Sequence, residues 1–145
     1  MTIIATPIDP ATGLTNGAGI TLGDDDGGDA IVDPPLLPVT RRPVQIVELA
    51  FSEQQFAVGR GNRLRSFNWT VARNHGDPAT SSAFVHGHES DVPINCQITI
   101  LSEVGTWEYS RAVITAVPFK EHYGVATTCQ YMVEGAVLKV NPITD

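Results

Sequence analysis

His86-Gly87-His88, followed by Glu89 and Asp91, is the densest group of metal-ligating residue types in the chain. His75 and Asp77 lie a dozen residues upstream, and His122 is the fourth histidine. Zinc is held by imidazole and carboxylate groups brought to one point, most simply by residues four apart on a helix. His86 and His88 are two apart, which on a helix points them roughly opposite ways. A site would need the chain to turn at Gly87 and His75 or Asp77 to swing in. The plainer reading is solvated histidines near a helix C-terminus, where the dipole favours them. No metal, cofactor or catalytic residue is therefore assigned.

Other candidates lose on spacing. Asp24-Asp25-Asp26-Gly27 opens like a calcium loop, but the twelfth position, where an EF-hand needs glutamate, is Pro35. Ser81 and Ser82 fall in a predicted helix, without the G-x-S-x-G elbow of a hydrolase. Cys96 and Cys129 sit in different predicted strands and are not a C-x-x-C pair. With no basic and apolar leader in MTIIATPIDPATG, two reduced, buried thiols are expected, although a cross-strand disulfide is geometrically possible. Glu48, Glu103, Glu108, Glu121 and Glu134 are scattered, and nothing pairs two of them as acid and base. Gly59-Arg60-Gly61-Asn62 lacks the G-K-[ST] ending of a phosphate loop.

Arg60, Arg63, Arg65 and Arg73 flank Phe67 and Trp69, which could suggest stacking on nucleic-acid bases. The two aromatics belong to an alternating face, however, and are expected in a core. The arginines suit carboxylate pairing, within the chain or on another subunit. The formal net charge of −7 also argues against wrapping around nucleic acid.

The elements that would position these residues are mostly strands. Val47, Leu49 and Phe51 face one way, Phe56–Val58 begins a return, and Gly59-Arg60-Gly61-Asn62 reads as the linking turn. Phe67, Trp69 and Val71 alternate with Asn68 and Thr70, a period of two. Asp77-Pro78 supplies an N-cap and a proline at the first helical position, predicting a helix from about Pro78 to His88. Ala79, Ala83 and Phe84 are its expected apolar stripe. Cys96, Ile98 and Ile100 alternate with Gln97 and Thr99, Ser102–Gly105 reads as a hairpin loop, and Trp107–Val117 as a long strand ended by Pro118. Tyr123, Val125, Thr127, Cys129, Tyr131 and Val133 line one face of the last strand. The order β-β-β-α-β-β-β with short turns predicts a mostly β fold, an antiparallel sandwich or half-barrel with one flanking helix.

Residues 1–43 differ in character. They hold six of the ten prolines and six of the thirteen glycines, beside the acidic cluster Asp24–Asp29. Such a segment cannot by itself bury enough apolar area to offset the entropy of ordering it. Yet Ile3-Ile4, Ile20, Leu22, Ile31-Val32 and Leu36-Leu37 are too apolar for a plain linker. Two readings stand: an extended arm ordered on a neighbouring subunit, or a flexible tail. The predicted division is thus an arm over 1–43, a β domain over 44–138 and a tail over 139–145. No run of eighteen apolar residues suggests a helical membrane span.

Several segments also carry a resemblance. Arg60-Gly61-Asn62-Arg63, the run Phe67–His75, Ala83–His88, Val92-Pro93, Gly124-Val125 and Tyr131–Ala136 together resemble small structural proteins from the tail modules of bacteriophages and prophages. In that pattern a G-N-R turn leads into a strand, a helix with small residues follows, and a late strand ends in Y-x-x-x-G. The resemblance covers about residues 44–138. It implies a tail-tube-like fold and a non-enzymatic virion protein, assembled in the host cytoplasm. Its subunits would form hexameric rings that stack into a conduit for double-stranded DNA, with neighbouring tail proteins as partners. Polar outward positions (Asn68, Thr70, Gln97, Thr99, Thr128, Gln130) would suit a wet lumen, and the acidic balance would keep DNA from sticking. A competing reading is a β-sandwich binding module, such as a capsid decoration or host-surface carbohydrate-binding domain, with Trp107 and Tyr109 as its platform. A metal-dependent hydrolase on His75, His86 and His88 is the third.

Overall fold

Alternation of apolar and polar residues builds one curled sheet in the computed structural model, which describes residues 1–25, 28–37, 44–48, 55–59, 65–122 and 126–142. In chain order the strands are β1 (Thr2–Pro7), β2 (Ile20–Asp24), β3 (Asp29–Asp33), β4 (Val44–Glu48), β5 (Gln55–Gly59) and β6 (Arg65–Asn74). Helix α1 (Pro78–Asp91) follows, then β7 (Asn95–Ser102), β8 (Gly105–Ala116), β9 (Phe119–His122) and β10 (Ala126–Pro142). The main sheet is antiparallel in the order β2-β1-β7-β8-β10-β6-β3, with β9 also pairing β10 beyond the end of β8. Strands β4 and β5 pair with each other as a separate hairpin.

The sheet forms a half-barrel with one core on its concave face. Phe67, Trp69 and Val71 of β6, Cys96, Ile98 and Ile100 of β7, and Cys129, Tyr131 and Val133 of β10 are all buried, as the period of two predicts. Tyr109, Phe67, Trp69 and Tyr131 form a continuous aromatic row, with ring centroids 4.6, 5.9 and 5.2 Å apart in turn. Strands β2 and β3 are at opposite ends of the sheet order, yet curling brings them together. A Cβ on Gly23 of β2 would lie 2.8 Å from Ile31 of β3 and 3.3 Å from Val71 of β6, so only glycine allows this approach. Across the seam the Trp69 indole N–H donates to the Leu22 carbonyl at 2.8 Å, satisfying an acceptor on the end strand.

Helix α1 starts where expected. Asp77 is extended (φ −149°, ψ 156°), and its carboxylate accepts from the Thr80 N–H and hydroxyl, both at 2.9 Å. The helix ends at Asp91, because Pro93 drives Val92 into extended backbone. Its inward stripe differs from the expected one. Ser81 and His88 are buried and Phe84 and Val85 half-buried, whereas Ala79 and Ala83 face solvent. Spacing of three and four is kept, but the stripe is carried by polar and aromatic groups.

Two expectations are corrected. Residues 1–33 are no arm: β1 lies between β2 and β7, with Ile3 and Ala5 at 0% exposure and Leu22 at 1%. This segment cannot make a core alone, but it completes the one that β6–β10 leave open. Likewise residues 139–142 belong to β10, where Val140 pairs with Trp107 and packs against the core. Among the described residues there are thus ten strands where six were expected; the added ones are β1, β2, β3 and the short β9. The Gly59–Asn62 turn beyond Gly59, Leu49, Phe51, Tyr123, Val125, Arg60 and Arg63 lie outside the described residues.

Candidate functional site

The helix closes one end of the half-barrel over a cluster of histidines and aromatic rings. Phe84 is its centre. His88 stacks on the Phe84 ring at 4.4 Å, His75 lies at 4.8 Å, and the Arg73 guanidinium sits 4.2 Å from the ring centroid. Phe119 of β9 meets the same ring edge-on at 5.7 Å. These contacts arise because β6 ends at Asn74, next to the helix start, while β9 and β10 pass beneath the helix.

Two hydrogen bonds tie the cluster to β10. His75 Nε2 meets Thr127 Oγ1 at 3.0 Å, and His88 Nε2 meets the Tyr131 hydroxyl at 2.6 Å in a buried setting. Burial, and then the nearby Arg73 charge, hold His88 below its ordinary value of 6.5, with Asp91 and Asp29 opposing. Burial likewise pushes the Tyr131 phenol up, with Cys129 adding to the effect. Arg73 is itself engaged by Asp29 of β3, Nε and Nη2 each donating to one carboxylate oxygen. That fork is the carboxylate pairing expected of the arginines, made within the chain.

This arrangement does not gather metal ligands. His75 and His88 are turned to separate hydroxyls on β10, and His86 is exposed. His122 is the last residue of β9. Among the described residues no three His, Cys, Asp or Glu side chains converge as a metal site. The acidic cluster also resolves into separate pairs. Thr2 Oγ1 donates to Asp24 at 3.4 Å, the N-terminal ammonium of Met1 bonds Asp25 at 2.9 Å, and Asp29 holds Arg73. The glutamates stay apart: Glu108 faces Lys139 across the β8–β10 ladder, and Glu121 faces Thr127.

A cleft of about 360 Å³ opens between the first turns of α1 and β9. Ser81, Ser82 and His86 line one wall, and Phe119 and Glu121 the other. Both cysteines are buried and unbridged. Burial alone pushes Cys96 up to about 12; for Cys129 burial dominates and gives about 11. Inert thiols are the chemical consequence.

The aromatic platform of the binding-module reading is corrected. Trp107 is 7% and Tyr109 1% exposed, because both occupy concave positions of β8. Stacked against Phe67, Tyr109 cannot also meet a sugar ring. The convex face carries the polar alternates instead: Asn68 is exposed, and Thr70, Gln97, Thr99, Thr128 and Gln130 are half-buried. Thr127 and Tyr131, expected only as members of one strand face, turn out to bond His75 and, from the helix, His88. A threonine amid apolar inward positions of β10 was their one signal.

No family model and no curated protein matches this chain. Among solved structures, the chain is similar to one of the anti-feeding prophage cap (the tube-terminating cap), with 13% identity and a TM-score of 0.42 over 97% of this chain and 88% of that one. It is similar also to a chain of the six-fold symmetrised anti-feeding prophage baseplate, with 11% identity and a TM-score of 0.42 over 99% and 94%.

Proposed function

We propose that this chain is a non-enzymatic structural subunit of a phage-type tail, assembling with copies of itself into a tube or ring. The expected ring is hexameric, passes double-stranded DNA and contacts neighbouring tail proteins in a virion built in the bacterial cytoplasm. One observation carries the reading: the sheet commits its concave face to the core and leaves a convex face on which polar residues are interspersed with the exposed Leu101, Val113 and Met132. The convex face would then be the one turned to a lumen, with Asn68, Thr70, Gln97, Thr99, Thr128 and Gln130 towards water. The net charge of −7 would repel passing DNA there. Of the segments that carry the tail-protein resemblance, Phe67–Trp69 and Tyr131–Val133 pair in one ladder.

Negative-stain imaging and light scattering of the purified full chain test this directly. Rings or tubes are expected, and a chain that stays monomeric at high concentration would overturn the proposal. Removing residues 1–33 is expected to abolish folding and assembly together, because three strands of the sheet go with them.

A further inference from the structure

We propose that α1 is an acid-released flap: protonation of His88 unfastens the C-terminal half of the helix and opens the end of the half-barrel. The helix is held by His88 together with the Phe84 ring, which meets Arg73, His75 and Phe119. Its inward side chains are Ser81, Phe84, Val85 and His88, and the rest of its surface faces solvent. His88 is 8% exposed, wedged between Phe84 at 4.4 Å, Phe119 at 6.4 Å and Tyr131 at 5.9 Å. Its 2.6 Å bond to the Tyr131 hydroxyl suits a neutral imidazole, where one partner donates and the other accepts. A protonated ring donates at both nitrogens, so the Tyr131 hydroxyl can then only accept from Nε2.

Charges around His88 come from every side. Arg73 on β6 faces it across the Phe84 ring, and Asp29 on β3 is already bonded to Arg73. Asp91 on the helix attracts a proton to it, as does the helix C-terminus. Tyr131 and Cys129 on β10 are neutral, His75 touches the same Phe84 ring, and β9 presents the apolar Phe119. A second cation beside Arg73, in a setting stripped of water, is the unfavourable product of protonation.

The sign follows from the lowered value of His88. The released helix takes up a proton more readily than the docked one. Docking therefore has full strength above about pH 6.5 and weakens as the pH falls below it, towards the docked value. Residues at the two ends suit such a motion: Gly76 has φ +82° in open space, and Val92-Pro93 leads into β7.

Hydrogen exchange on the full chain tests the flap, corrected for intrinsic rates, between about pH 7.5 and about pH 5. Exchange at residues 84–91 is expected to rise several-fold, tenfold for each unit separating docked and released values, while β7 and β8 stay protected. His88→Gln keeps a hydrogen-bonding group for Tyr131 but cannot be protonated, and its profile is expected to be flat. A flat wild-type profile, a wild-type slope in H88Q, or simultaneous loss of strand protection would each overturn the proposal. Should H88Q fail to fold, an NMR titration of the wild-type His88 ring decides: a midpoint at or above about 6.5 refutes the flap, and one below it supports it.

Discussion

Gly135→Ala is expected to destabilise the protein, against the usual direction for a glycine in a strand. Gly135 lies in β10 opposite Ala112 of β8 and Arg65 of β6, and its φ lies outside the left-handed region. By propensity alone, alanine would gain about 0.5–1 kcal/mol through lower unfolded-state entropy. Here, however, a Cβ would lie 2.6 Å from Tyr109 Cδ1, 2.9 Å from its Cγ and 3.1 Å from Phe67 Cε1. Neither ring can retreat easily, since Tyr109 is 1% exposed and stacked on Phe67 at 4.6 Å. Overpacking of this kind costs about 1–3 kcal/mol, so the net expectation is a loss of up to about 2.5 kcal/mol. Urea denaturation should show a lower midpoint at unchanged slope. The companion double variant G135A/Y109L should lose less than the sum of its single changes, because the smaller side chain removes the clash. A midpoint raised by Gly135→Ala would refute the packing argument, and so would strict additivity with Y109L.

Other expectations concern the same core. Trp69→Phe removes the indole donor and leaves the Leu22 carbonyl without it; the expected cost is about 2–4 kcal/mol. Amide exchange in β2 should rise with it, and an unchanged denaturation midpoint would contradict the role of that bond. Cys96 and Cys129, held near 12 and 11, should react with DTNB at about pH 8 about two to three orders of magnitude more slowly than free thiols. Their raised values also predict a loss of stability as the pH climbs past the ordinary 9.0, where only the unfolded chain releases these protons readily. Fast labelling of the native protein, or stability unchanged up to about pH 10, would contradict the burial.

How far these features were legible depended on whether their signal was local. The alternation in Phe67–Val71 and Cys96–Ile100 identified two core strands, because side-chain direction in a strand depends only on parity. Asp77-Pro78 located the helix start, since capping is settled within four residues. The helix face was misjudged, because hydropathy ranked Ala79 and Ala83 above Ser81 and His88. Buried polar groups become acceptable once a distant partner exists, and Tyr131 is 43 residues from His88.

The sequence by itself determined the mostly β class, the order of β6, α1, β7 and β8, and a hairpin loop within Ser102–Gly105. Trp107 and Tyr109, read as a platform in the competing reading, were placed in the core only by the neighbours they meet. Only the tertiary structure decided that residues 1–33 complete the sheet, that Arg73 finds Asp29, and that three rings and a guanidinium converge on Phe84. Of the histidines weighed as metal ligands, His75 and His88 instead bond Thr127 and Tyr131 of β10 by the same route. Pairing between distant strands is stabilised by backbone bonds and shared burial that no local window contains.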